Sequence, residues 1–144
     1  MMNDTENGLK IGLALGGGSA RGLAHIAMLE AFDEVGIKPA MIIGCSMSAL
    51  VGAAYASGMS GKTLREHAGR ILSSRTEMLK HILGGKKLKP LELLSFNGLN
   101  GLHLSAERLV NVALPDDIPA NIEDLAIPLK IVATNYSRME EHIF

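Results

Sequence analysis

The sequence predicts an α/β protein with a mainly parallel sheet. Two short apolar runs each break into a turn rich in glycine or serine and then into a helix-patterned stretch, and a third apolar run follows near the C-terminus. Strand–turn–helix repeated in this order is how parallel strands are joined by helical crossovers. At 144 residues the chain suits one domain of ordinary size and can bury a core without cross-links.

Residues 1–8 are polar and acidic and are expected to form a disordered tail, with 9–144 as the folded part. Lys10 to Leu15 is a short apolar run that reads as a buried strand ending at Gly16-Gly17-Gly18. From Gly22 to Val35, the apolar Leu23, Ile26, Ala27, Leu29, Phe32 and Val35 recur at helical spacing. Glu30, Asp33 and Glu34 take another side, and Gly36 stops the helix. After Pro39, the run 40–43 is a second buried strand; Gly44-Cys45-Ser46-Met47-Ser48 turns the chain, and the small residues of 49–56 predict a closely packed helix. Helices are expected over 62–72 and 76–83, then a basic loop over 84–90 and a turn-rich stretch over 97–101. Ser105 can cap a helix that reaches about Ala113, with Glu107 in its first turn and Pro115 ending it. Residues 129–134 form the third strand, and a fourth is expected near His142.

Composition excludes several classes. Lys and Arg number 14 against 15 Asp and Glu, and aromatics make up 3% without a Trp. Neither an electrostatic nor a stacking surface for nucleic acid follows from that. Cys45 stands alone, so no disulfide framework or cysteine-built zinc site is available, and neither a metal nor a cofactor is expected. The acidic start does not read as a secretory signal, and no apolar run approaches the ~18 residues of a membrane span. The expectation is a soluble, cytoplasmic protein.

Ser46 is the first candidate for chemistry. It falls at an abrupt strand-to-helix junction, where a nucleophile elbow holds its serine at the apex of a tight turn. Gly44 supplies the small residue needed two positions before. Ser48 stands where G-x-S-x-G would have its second glycine. The helix N-terminus beside Ser46 favours a developing alkoxide. Ser46 can equally be read as a plain helix cap. The other loop, Gly16-Gly17-Gly18-Ser19-Ala20-Arg21-Gly22, offers backbone N–H groups free of side chains. If strands 10–15 and 40–43 are neighbours, both loops leave the same sheet edge, where open α/β sheets bind ligands. One then supplies a nucleophile and the other an oxyanion hole. Arg21 either supports that loop near an anionic group or is a solvated cation.

Rival readings are weaker. The dinucleotide pattern begun by Gly16 and Gly18 meets Arg21 where its last glycine belongs, and no acid ends the second strand. Gly61-Lys62-Thr63 resembles the end of a phosphate loop, but a helix precedes it and Ala56 replaces the first glycine. Cys45 lies off the turn's apex and is expected to pack against the sheet. None of His25, His67, His81, His103 and His142 stands in a recognisable relation to Ser46, and His25 reads as a packed residue.

The two loops together resemble the patatin-like phospholipases, in particular the bacterial branch similar to the neuropathy target esterase catalytic domain. The resemblance rests on residues 16–22, Ala24-His25-Ile26 and the run 44–56, and more loosely on Ile127-Pro128-Leu129 and 132–135. It implies a three-layer α/β/α fold and hydrolysis of lipid acyl esters by a Ser–Asp dyad without histidine. Ser46 matches the nucleophile, Gly44, Cys45, Met47 and Ser48 its elbow, and Gly16, Gly17, Gly18, Ser19, Arg21 and Gly22 the oxyanion loop. Two departures accompany it. Ser48 replaces a glycine, and no aspartate here is followed by glycine, so the dyad's aspartate is missing and the patatin-like fold is expected to be incomplete. Asp116, Asp117 and Asp124 are the available substitutes.

The expected ligand is therefore a lipid or acyl ester, with peripheral membrane contact; Lys86, Lys87 and Lys89 could meet anionic headgroups. The first alternative is a non-catalytic fragment that binds lipid or a partner, including a second copy, through an open sheet edge. A second is a nucleotide-binding module using Gly61-Lys62-Thr63.

Overall fold

A computed structural model describes residues 10–73, 110–111, 113–115 and 118–144. The contacts divide the chain into two units, Met1–Arg65 with Asp117–Phe144, and Glu66–Asp116. The expected tail, the 76–83 helix, the basic loop with its three lysines, the 97–101 turn and the Ser105 cap lie outside the described residues, as do Asp116 and Asp117.

The first unit is built on a four-stranded sheet in the order β1-β2-β3-β4: β1 Gly12–Leu15, β2 Met41–Gly44, β3 Leu129–Asn135 and β4 Glu140–Ile143. The first three strands are parallel and β4 turns back antiparallel on β3, so the sheet is the mainly parallel one expected. The fourth strand falls where His142 suggested. Between β1 and β2 run a 3-10 turn, Ser19–Ala24, and α1, His25–Glu34; α2, Met47–Ala56, follows β2, and α3, Gly61–Ser73, follows α2.

The helix expected from Gly22 thus begins as a tighter 3-10 turn. Such turns are common at helix N-termini, and here the segment runs so close to α2 that a Cβ at Gly22 would lie 3.0 Å from Ser48 Oγ and 3.1 Å from Met47 Cβ.

In β1 and β2 alternate residues are buried. Leu13, Leu15, Ile42 and Leu129 form the sheet side of the core; Ile26, Leu29, Ala49, Val51, Ala54, Tyr55 and Ala56 form the helix side. The small residues of α2 let it sit directly on the strands. A Cβ on Gly52 would come to 3.1 Å from Ile42 and 3.4 Å from Leu129. Met41 and Ile43 face the other way and remain 36% and 37% exposed, so among the described residues only one face of the sheet is fully covered. The second helical layer of a three-layer arrangement is not among those residues.

Polar contacts join the helices. Asp33 near the end of α1 accepts the Tyr55 hydroxyl at 2.6 Å through Oδ1 and the Gly61 N–H at 2.6 Å through Oδ2. One carboxylate therefore ties α1 to α2 and to the start of α3, where its charge suits the helix dipole. Burial first, and then the bond to Asp33, push the Tyr55 phenol up to about 12. Gly61 must be glycine, because a Cβ there would meet the Glu30 backbone nitrogen at 2.5 Å. The Arg65 guanidinium forks onto the Glu30 carboxylate, Nε to Oε1 at 2.6 Å and Nη2 to Oε2. That hydrogen bond holds Glu30 below the usual carboxylate range.

In the second unit, α3 continues from Glu66. His67 Nε2 meets the Ala113 carbonyl at 3.1 Å, and the Leu114 N–H donates to the Val110 carbonyl at 2.9 Å, consistent with the helix expected to end there.

Candidate active site

The parallel register places Leu15 beside Gly44. The glycine loop and the Gly44–Ser48 turn therefore leave adjacent strands at one edge of the sheet, side by side at the ~4.8 Å spacing of paired strands. The neighbouring β-strands anticipated from the sequence are present. Gly17 touches the turn: a Cβ there would lie 3.7 Å from both the carbonyl oxygen and Sγ of Cys45.

Ser46 has φ 57° and ψ −132°, outside the regions open to an L-residue with a side chain. It also precedes α2 in the N-cap position, yet its side chain makes no capping hydrogen bond. A serine recruited only as a cap would place its oxygen on the first amides of the helix. Here the hydroxyl is exposed and without a hydrogen-bond partner among the described residues. The turn is enforced by its flanks. A Cβ on Gly44 would stand 2.7 Å from Ala49 Cα and 2.9 Å from Ala49 N, so strand and helix approach as closely as only glycine allows. The Ala49 N–H closes the first helical bond onto the Ser46 carbonyl at 2.9 Å.

Ser48, where G-x-S-x-G would have its second glycine, is fully buried and donates to the Gly16 carbonyl at 2.6 Å. His25 Nε2 meets the same carbonyl oxygen at 3.1 Å. Ser48, a departure from G-x-S-x-G, and His25, expected to be a packed residue, each bond to the glycine loop. The available signals were a hydroxyl where glycine was expected and a histidine one turn after the loop. Gly16 and Gly17 are exposed, and the Arg21 N–H closes the 3-10 turn onto the Gly18 carbonyl at 3.0 Å. Arg21 itself is exposed, without an ion pair among the described residues. Cys45 is half-buried beside Gly17. Asp124 lies in a separate 3-10 turn, Ile122–Asp124, and accepts from Asn121 Nδ2 at 2.8 Å.

Among the described residues no group of His, Cys, Asp and Glu could hold a metal ion, and no helix is long and apolar enough to cross a membrane. At the alternative phosphate-loop segment, the Gly61 N–H is taken by Asp33 and the Thr63 N–H by Ser60 Oγ at 3.1 Å. Two amides that a phosphate would use are thus occupied, one by a carboxylate that repels it.

An open α/β sheet with two turns converging at the ends of adjacent parallel strands defines the class. The sequence matches the family described as patatin-like phospholipase over residues 13–144, and the chain belongs to that family. It is 36% identical over 140 residues to a lysophospholipase NTE1 of Cryptococcus neoformans, covering 94% of this chain and 8% of that one. Over 76 residues, 53% of this chain, it is 42% identical to the neuropathy target esterase sws of Drosophila sechellia, covering 5% of it. Over the same length it is 37% identical to the human patatin-like phospholipase domain-containing protein 6, covering 6% of it. The chain thus spans less than a tenth of the length of these curated relatives. The type III effector protein ExoU superposes with a TM-score of 0.48 at 19% identity, over 94% of this chain and 35% of that one.

Proposed function

We propose that this chain carries the nucleophile and oxyanion loop of a serine-dependent lipid acyl hydrolase. The supporting observation is Ser46, held in a disfavoured backbone conformation at the head of α2 with its hydroxyl uncapped and exposed. Strain of this kind, of order 1–3 kcal/mol, persists where the surroundings over-determine it and clusters at active sites. Ser46 Oγ attacks the ester carbonyl, and its proton passes to a base. The tetrahedral oxyanion is stabilised by N–H groups of the Gly17–Ser19 stretch, with Arg21 supporting the loop. Collapse expels the lyso-lipid or alcohol and leaves an acyl-serine, which water cleaves to release the fatty acid and restore the hydroxyl. Each donor of such a hole is worth ~3–4 kcal/mol in the transition state. The base is the aspartate of a Ser–Asp dyad. No Asp-Gly pair occurs in this sequence, and we assign that aspartate to sequence outside these 144 residues. The names of the relatives favour a lysophospholipid among acyl esters. The enzyme acts in the cytoplasm, at membrane surfaces.

A fluorophosphonate probe tests this on the full-length protein. Wild type should be labelled on Ser46, and Ser46→Ala should lose both the label and hydrolysis of lysophosphatidylcholine. Equal labelling of Ser46→Ala overturns the proposal.

A further inference from the structure

The Gly16 carbonyl is held by two side chains from outside its loop. Ser48 Oγ donates to it at 2.6 Å from the first turn of α2, and His25 Nε2 meets it at 3.1 Å from the first turn of α1. A carbonyl oxygen has two lone pairs, and both are engaged. Ser48 is 0% exposed, so the donor end of this bond lies away from water, where a hydrogen bond is electrostatically stronger.

This oxygen belongs to the peptide between Gly16 and Gly17. Neither residue has a Cβ to resist rotation of that peptide plane. The Gly16–Gly17 peptide is trans, so the Gly17 N–H points opposite to the pinned carbonyl. If the plane turned over, an oxygen would stand where the donor now stands, and an acceptor facing a developing oxyanion repels it. We infer that Ser48, together with His25, is a positioning residue that fixes the Gly16–Gly17 peptide and so sets which face of it meets the acyl oxygen. The inference rests on the proposed assignment of Ser46 as nucleophile and of the glycine loop as oxyanion hole. The hydroxyl at the second elbow position thus joins the two loops through one bond, which a glycine there could not do.

The test uses the full-length protein, with the rate of fluorophosphonate labelling and the steady-state hydrolysis of a soluble p-nitrophenyl ester. Ser48→Ala should lower both the labelling rate and kcat about 10-fold, leave KM within about twofold and leave Tm within a few degrees, because the loop is loosened and not dismantled. His25→Leu should act in the same direction, and His25→Gln, which keeps an N–H donor, should restore most of the loss. The double variant should fall further than the product of the single effects, since either donor alone still holds the oxygen in part. Should Ser48→Ala fail to fold, the His25→Leu and His25→Gln pair carries the same comparison. Wild-type kcat in Ser48→Ala, or a fall in Tm with kcat untouched, overturns the inference. So does independence of the two residues in the double variant. Failure of the underlying assignment looks different: wild type is then unlabelled, or Ser46→Ala is labelled as well. Labelled wild type, silent Ser46→Ala and full-speed Ser48→Ala would sink this inference alone.

Discussion

Ser46 and Met139 are the two non-glycine residues among the described ones with positive φ, 57° and 53° respectively. Both are exposed, but the backbone around them differs. Met139 lies in the turn between β3 and β4, where Tyr136 and Met139 are 83% and 79% exposed and every residue of β4 is open to solvent. Ser46 lies between a strand and a helix so close that Gly44 cannot carry a methyl group, and two residues on from it Ser48 is wholly buried. A positive φ in a solvated turn can relax when the chain moves slightly. At the head of α2 it cannot, because the packing of β2 against Ala49 leaves no alternative path. The contrast separates backbone strain that is incidental from strain that is maintained.

Four substitutions sharpen the contrast. The largest effect belongs to the enforcement itself. Gly44→Ala puts a methyl 2.7 Å from Ala49 Cα, backbone that has no flexible end to move, and should cost about 3 kcal/mol in chemical denaturation. Next comes the polar clasp behind the turn. With the Tyr55 phenol raised to about 12 from an ordinary 10, the unfolded chain releases that proton first as pH rises. Its contribution to stability is therefore complete below pH 10 and is lost between about pH 10 and 12. Wild type should shed on the order of 2 kcal/mol across that window, and Tyr55→Phe should show no such slope in denaturant midpoints. The smallest effect compares the two strained residues. Glycine at either position relieves its backbone, so Met139→Gly and Ser46→Gly should each raise stability by up to about 1 kcal/mol, read as Tm. Only the second should abolish labelling by the fluorophosphonate.

The strands and most of the helices were legible because their signals are local. Residues 10–15, 40–43 and 129–134 are apolar runs bounded by glycine or proline; the first contains its parallel strand, and the other two fall one residue short of theirs at the C-terminal end. Gly44 and Ser46 were legible because a tight turn between strand and helix demands small residues at fixed offsets. What the sequence could not convey depends on contacts across 9 to 35 positions. Asp33 read as one more acid on a polar helix face, and nothing local shows that it joins Tyr55 to Gly61. Glu30 likewise gave no sign of Arg65. Ser48 looked like a flaw in a motif, because its partner, the Gly16 carbonyl, is identical in every residue type. The 3-10 winding of Ser19–Ala24 was hidden for the same reason: Gly22 is pressed against α2, and that neighbour is 25 residues away at Met47.

The backbone at Ser46 carries one more implication. An isolated pentapeptide of this sequence would relax its central φ and ψ within nanoseconds, and its hydroxyl would be that of any free serine in water. The conformation exists only while Leu15, Ile42 and Leu129 hold α2 onto the strands. On the proposed assignment of Ser46 as nucleophile, its reactivity is born with the tertiary structure. On that assignment an unfolded copy of the chain escapes the fluorophosphonate, and covalent capture of the serine counts properly assembled molecules.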